Sequence, residues 1–472
     1  MSTSAPVLSR RLVLTGAGAA AAALLAACTG AQYAATPTTA PAAKPAAAAP
    51  TPAAAGAPTQ AAAGAPTQAP AAATAAPAAR AATSGGPVSI TFMSWSAADS
   101  LGRKIDVALT DEYMKANPGV TVKTEDVPFN DYMKKLQTMF AADIGPDVLW
   151  DSIWRQPRFV QAGAVIALDD LVKGDSGVPK YTPTALEMGK YKGKLYGLPL
   201  GASTWVVHYN STLFAEAGLK NPGELKAANQ WSWDALKDAA LKIGKREGDR
   251  LVTQGYMTDR QAYTWMNYAF NNGAQYVDKA GVKFQVDSKE SVEALQWLAD
   301  FILTHKVSPT LTDQQGGDYV PRFSTGKLAL MTTWAGSAID VKKVIGDKFQ
   351  FDIIELPVSK SGRESGGYWH ANLINVNSKT KSREHAWGMG KLAASAKAEI
   401  TRIESGQLNT PLIDDPALIE TYKKTTPVKT GLVVIDLLKA PVPLPYNESW
   451  EEQRFRIVEP YMAEVYDGKK KV

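Results

Sequence analysis

Cysteine is nearly absent: one residue, Cys28, in a chain of 472. A lone thiol makes no disulfide within the chain, so any domain after it rests on hydrophobic burial alone. Histidine is almost as scarce. His208, His305, His370 and His385 show no metal-ligand spacing, and no cysteine can join them. Neither a Gly-x-Ser-x-Gly elbow nor a Gly-rich phosphate loop occurs. The first 87 residues contain no acidic side chain, only Arg10, Arg11, Lys44 and Arg80. That leaves 47 basic and 46 acidic groups in 88–472, so the overall +5 belongs to the leading segment. A nucleic-acid-binding face is thereby disfavoured. No apolar run reaches the roughly 20 residues that a spanning helix needs; Leu12 to Ala27 is a short stretch, mostly alanine.

What is present around that stretch reads as an address. Ser9-Arg10-Arg11 before Leu12-Val13-Leu14 resembles a twin-arginine export signal. Leu25-Ala26-Ala27-Cys28 resembles a lipobox, which makes Cys28 the expected lipidation site and 1–28 a lipoprotein signal peptide. Residues 29–87 are almost wholly Ala, Pro, Thr, Gly and Gln, with "AAAGAPTQ" at 53–60 and again at 61–68. Ten prolines interrupt every helical run. The composition predicts a disordered tether that holds a domain away from a membrane. These features imply an extracytoplasmic protein, lipid-anchored on the outer face of the cytoplasmic membrane.

From Val88 the pattern changes to that of an α/β protein. "VSITFMSW" reads as a buried strand, "GRKIDVALTDEYMKANPG" as a helix stopped at Asn117-Pro118-Gly119, and "VTVKTEDV" as a strand. "NDYMKKLQTMFAA" places Met133, Leu136, Met139 and Phe140 on one helical face, and "PDVLW" is the next strand. Strand and helix alternate as in a layered domain with parallel strands. Further along, Ser232 is an expected N-cap, and Val292, Leu295, Leu298, Ala299 and Ile302 form an apolar stripe. "FDIIELP" and "NLINVNS" read as strands and "EHAWGMGKLAASAKAEI" as one helix. The 385 residues from 88 onward exceed one core, so two lobes are expected.

Five stretches in order carry a family resemblance. They are "YMKKLQTMFAADIGPDVLW", "YKGKLYGLPLGASTWVVHYNSTLFAEAGL", "WSWDAL", "FSTGKLALMTTWAGSA" and "NVNSKTKSREHAWGMGKLAAS". Together they resemble the extracellular solute-binding proteins of carbohydrate ABC transporters, the family that includes maltose-binding protein. The resemblance implies a two-lobed periplasmic-binding-protein-like fold with an interlobe cleft and three hinge crossings, near 200–205, 350–356 and 395–400. Lobe 1 would comprise 88–202 plus 355–396, and lobe 2 would comprise 203–354 plus 397–472. It further implies a monomeric, non-enzymatic binder with no cofactor, whose partners are permease subunits with a cytoplasmic ATPase.

A sugar offers hydroxyls and a flat C–H face, which call for planar polar groups and an aromatic plate. The chain has 12 tryptophans, all beyond residue 88. Several follow predicted strands, where ligands of open α/β sheets sit. The residues expected at the ligand are Trp95 and Ser96 after the first strand, Asp151, Trp154 and Arg155 after "PDVLW", and Ser203 and Trp205 at the first crossing. Trp334, Trp369 with His370, and Trp450 complete the set. By resemblance, Arg155 and Trp334 keep the family's residue type, Asp151 and Trp154 exchange an acid and an aromatic, and Ser203 replaces an acid. Trp231, Trp233, Trp297 and Trp387 are expected in the core, and Asp147 as a structural hydrogen-bonding group. Other solutes (a polyamine, a glycerophosphodiester or a peptide) and a glycoside-acting enzyme remain as alternatives. A polyamine would call for several cleft acids, a phosphate for arginines and helix N-termini.

Overall fold

A computed structural model describes residues 87–96, 100–257, 261–276, 284–310, 319–361, 369–406, 413–429, 431–437 and 447–472. The leader, Cys28 and the tether up to residue 86 lie outside the described residues, as does the side chain of Trp369.

The strands are β1 (Val88–Ser94), β2 (Val120–Asp126), β3 (Val148–Ser152), β4 (Lys190–Tyr191), β5 (Lys194–Leu195), β6 (Gly197–Asn210), β7 (Lys245–Glu247), β8 (Arg250–Met257), β9 (Leu328–Trp334), β10 (Phe351–Ile354) and β11 (Trp369–Val376). Nine of them form one sheet in the order β2-β1-β3-β11-β6-β9-β8-β7, with β10 also on β6. Strands β1, β2 and β3 pair in parallel, as the alternation with the helices Leu101–Ala116 and Phe129–Ala141 requires.

The long strand β6 explains the two lobes. Its first half, Gly197–Thr204, pairs with β11, and its second half, Trp205–Tyr209, pairs with β9. The change of partner falls between Thr204 and Trp205, inside the expected first crossing. A first hydrophobic cluster gathers β1, β2, β3, β11 and the first half of β6, including Ile90, Val148, Leu200 and Ile374. A second gathers Trp205 and Val207 from the second half of β6, Tyr256 from β8 and Leu330 from β9 with the helices Trp233–Ile243, Ala262–Asn271 and Lys289–Leu303.

Packing shifts two expected boundaries. Leu356 stays in the second cluster, and Val358 bridges Ser232 beside it, so lobe 2 extends past 354. The stretch 397–472 is divided rather than assigned whole to lobe 2. Ala398, Ile403, Leu418, Tyr422 and Val434 bury in the first cluster, whereas Trp450, Met462 and Tyr466 bury in the second. Hydrophobic faces, not distance along the chain, decide which lobe each helix joins.

Two local expectations also change. "EHAWGMGKLAASAKAEI" forms two helices, Arg383–Ala393 and Ala396–Glu404, because the Ser395 hydroxyl accepts from the Ala398 amide and starts a new helix. Val292 is exposed, while Leu295, Leu298, Ala299 and Ile302 are buried as expected. Asp147 is structural: its carboxylate accepts from the Thr91 amide at 2.8 Å, the Thr91 hydroxyl at 2.9 Å and the Thr380 hydroxyl at 2.5 Å. Trp231, Trp233 and Trp387 are buried, and Trp297 is packed on the second cluster.

Candidate functional site

A cleft of about 1130 Å³ opens between the two clusters at the strand ends. That volume exceeds what one small solute needs and lies at the upper end for ligand sites. Eight of the eleven residues expected at the ligand line it: Trp95, Ser96, Trp154, Arg155, Ser203, Trp205, Trp334 and His370. Of the remaining three, Asp151 and Trp450 do not appear on its wall, and the side chain of Trp369 lies outside the described residues.

Asp151 fails by strand alternation. Successive side chains on β3 point to opposite faces. Trp150 and Ser152 line the cleft, and Asp151 between them is fully buried elsewhere. Neither carboxylate oxygen has a well-directed hydrogen bond. Burial pushes its pKa up to about 7, partly offset by the Ser152 amide and the Arg155 guanidinium and reinforced by Glu451. Trp450 fails by packing: it is 1% exposed and its ring lies parallel to Phe284 at 6.1 Å. For Trp369, only the backbone is described, opposite Thr204 in the sheet.

The aromatic side chains form a line across the cleft. The Trp154 ring stacks on His370 at 4.1 Å and on Tyr263 at 5.3 Å, and Trp205 is tilted against Tyr263 at 5.2 Å. His370 comes from β11, and Tyr263 from the helix Ala262–Asn271 of lobe 2. Trp154 thus joins the lobes rather than standing clear as a plate. Trp95 is held edge-on by Tyr132 and Trp150, each at 5.3 Å. Beneath it, the Ser94 and Ser96 hydroxyls donate to the buried Asp106 carboxylate at 2.5 and 3.2 Å, which fixes the turn after β1. Trp334 ends β9 opposite Trp205 and is partly exposed to the cleft. Ser337 secures its turn, donating to the Trp334 carbonyl at 2.8 Å while its hydroxyl lies 3.1 Å from buried His208 Nε2.

The charged groups of the cleft are matched. Arg155 Nε donates to Glu451 Oε1 at 3.1 Å across the lobes, and Arg454 Nε lies 3.4 Å from Glu459 Oε1. Asp340 and Lys343 add one charge of each sign. The Arg454 guanidinium sits 4.5 Å from the Tyr263 ring centroid and 3.9 Å from that of Phe455. Burial lowers its pKa to about 10, leaving it charged at neutral pH. Among the described residues no group of three His, Cys, Asp or Glu side chains could hold a metal ion.

Sequence reasoning missed the C-terminal wall. Glu451, Phe455, Glu459 and Ala463 line the cleft at intervals of four. An ordinary helix drifts off one face at that interval. Here the residues Arg454–Val458 form a π-helical turn between Trp450–Gln453 and Glu459–Tyr466, and the wider turn brings the next residues back into line. Tyr263 and Asn372 were missed too. The four-residue spacing was visible in the sequence, but nothing there marked a π turn.

An interlobe cleft, a sheet shared through one strand and matched polar and aromatic walls define a two-lobed binding protein. The chain belongs to the bacterial extracellular solute-binding protein family, whose description matches residues 98–400. A binding protein of Brucella abortus is 28% identical over 275 residues, covering 57% of this chain and 64% of that protein. The chain thus spans a little under two thirds of that relative's length. The maltotriose-binding protein of Pyrococcus abyssi is 26% identical over 290 residues, 59% of this chain and 57% of that one. Among solved structures, an ABC substrate-binding protein from Listeria monocytogenes in complex with cycloalternan aligns with a TM-score of 0.71 at 23% identity, covering 81% of this chain and 95% of its own. That alignment shows a shared fold.

Proposed function

We propose that this chain captures an uncharged oligosaccharide between its lobes and delivers it to an ABC importer. The observation that carries the reading is the cleft itself: about 1130 Å³, walled by Trp95, Trp205, Trp334 and Phe455, with its arginines and carboxylates set against one another. Indole surfaces suit the C–H face of a sugar. Matched charges give no net attraction for a polyamine or a phosphodiester, which argues against those solutes. The named relatives that bind maltotriose or cycloalternan support the same class.

In this reading Trp95, Ser96, Trp154, Arg155, Ser203, Trp205, Trp334 and His370 contact the sugar or shape its site. The lobes close by rotation about the Thr204–Trp205 junction and the other crossings. Arg155 and Glu451 meet on closure, as do Trp154 and Tyr263. The leader and tether support an extracytoplasmic protein anchored through lipid on Cys28, and the family supports permease subunits as its partners. Calorimetric titration with maltotriose, arabinotriose and N,N′-diacetylchitobiose tests it. Micromolar binding of at least one, with the sugar recovered intact, is expected. No binding to any of the three, or cleavage of a bound sugar, would reject the proposal.

A further inference from the structure

Among the described residues, the buried polar atoms on the lobe 1 side of the cleft that make no hydrogen bond include Ser152 Oγ, Ser203 Oγ, His370 Nε2 and Asn372 Oδ1, besides the indole nitrogens of Trp150 and Trp154. The first four come from three adjacent strands. Ser152 on β3 lies opposite Asn372 on β11, and His370 on β11 lies opposite Ser203 on β6. Residues two apart on a strand share a face, and all four side chains line the cleft. Adjacent strands are about 4.8 Å apart and alternate residues about 6.6 Å. The four groups therefore span a patch of roughly 10 by 7 Å, comparable to one hexose ring with its hydroxyls.

Two features show that the patch is built. The β11–β6 register shifts between Ala371 and Leu373: β6 carries two residues, Leu200 and Gly201, where β11 has Asn372 alone, so a bulge of β6 lies directly opposite Asn372. Bulges of this kind re-aim a side chain and are common beside sites. His370 is held by its stack on Trp154, and burial together with Arg155 lowers its pKa to about 3, so the imidazole is neutral. The patch carries hydroxyl, amide and imidazole groups and no charge. Buried polar atoms without partners weaken a fold; four of them on residues of one cleft wall call for an outside partner, and a ring of hydroxyls would supply it.

We propose that Ser152, Ser203, His370 and Asn372 form a floor that fixes the hydroxyls of one uncharged sugar ring and sets specificity for it. The proposal rests on the sugar-capture reading above and adds which residues choose the ring. The floor belongs to β3, β11 and the first half of β6, all on lobe 1, so it persists when the lobes part.

Ser152→Ala, Ser203→Ala and Asn372→Leu would be titrated with the tightest of maltotriose, arabinotriose and N,N′-diacetylchitobiose. Each is expected to weaken binding at least tenfold. Trigalacturonate, a charged trimer of similar size, is expected not to bind. A Ser152→Ala/Ser203→Ala double variant without sugar should melt at or above the wild-type temperature, because it loses two unsatisfied hydroxyls. Wild-type binding with all three variants within twofold of it would overturn the floor while leaving sugar capture intact. Trigalacturonate binding as tightly as the neutral sugars would overturn the specificity. A sugar-free double variant melting several degrees lower would show that the hydroxyls serve the fold, and would overturn the proposal whatever the titration gave. A wild type that binds none of the three sugars would reject both readings.

Discussion

Replacing Asp151 by asparagine should stabilise the protein, and by an amount that grows with pH. The carboxyl is 1% exposed, has no well-directed hydrogen bond and titrates near 7, against 3.8 for the free side chain. A folded-state pKa raised above the unfolded value means that the native state holds the proton more tightly. Between pH 4 and 7 the unfolded chain binds fewer protons, so stability falls as pH rises, by up to about 1.4 kcal/mol per pH unit. The full shift corresponds to about 4 kcal/mol above pH 7, and the change between pH 5 and pH 8 to about 2 to 3 kcal/mol. Asparagine keeps the shape and removes the titration, although its amide still needs partners, which adds a constant offset. Urea unfolding of both proteins at pH 5, 6, 7 and 8 reads the difference. The Asp151→Asn advantage should widen steadily up to pH 7 and then level off. A difference that stays constant across the series would refute the reasoning, and one that widens toward acid pH would reverse its sign.

Other perturbations separate binding from packing. Glu451→Gln removes the charged partner of Arg155 across the lobes and should raise the sugar release rate about ten- to a hundredfold, from a charge-assisted bond of about 1.5–3 kcal/mol, measured by stopped-flow fluorescence. Trp334→Ala should weaken sugar binding by about 2 kcal/mol with a small change in melting temperature; unchanged affinity would remove it from the site. Trp450→Ala should do the opposite, losing about 3–5 kcal/mol of stability, since the side chain is buried in the second cluster. Gly255→Ala should destabilise severely, because its Cβ would lie 2.0 Å from the Ala240 carbonyl oxygen; a wild-type melting temperature would show that the helix Trp233–Ile243 can withdraw from β8.

Much of the fold was legible because it is written locally. Apolar runs marked β1 and β3, the Asn117-Pro118-Gly119 stop ended the first helix, and Ser232 capped a later one, accepting from the Ala235 amide. Tryptophans at strand ends pointed to the cleft, and Trp95, Trp205 and Trp334 lie there. Asp151 was misread because a one-residue offset on a strand changes the face. Trp450 was misread because an aromatic near a predicted site and one in the core carry the same sequence signal. Tyr263 and Glu451 are more than 100 residues from Trp154 and Arg155, and only the approach of the lobes brings them together. The bulge of β6 opposite Asn372 depends on two strands at once and leaves no mark in one of them.

The shared strand β6 also limits how this protein can be taken apart. Severing the chain at Thr204–Trp205 and parting the fragments would strip β11 of both its neighbours, β3 and the first half of β6, and leave exposed rows of backbone amides and carbonyls on both pieces. Neither fragment would be a self-contained module. Recombining halves from different relatives would require both fragments to agree on the register of a single strand.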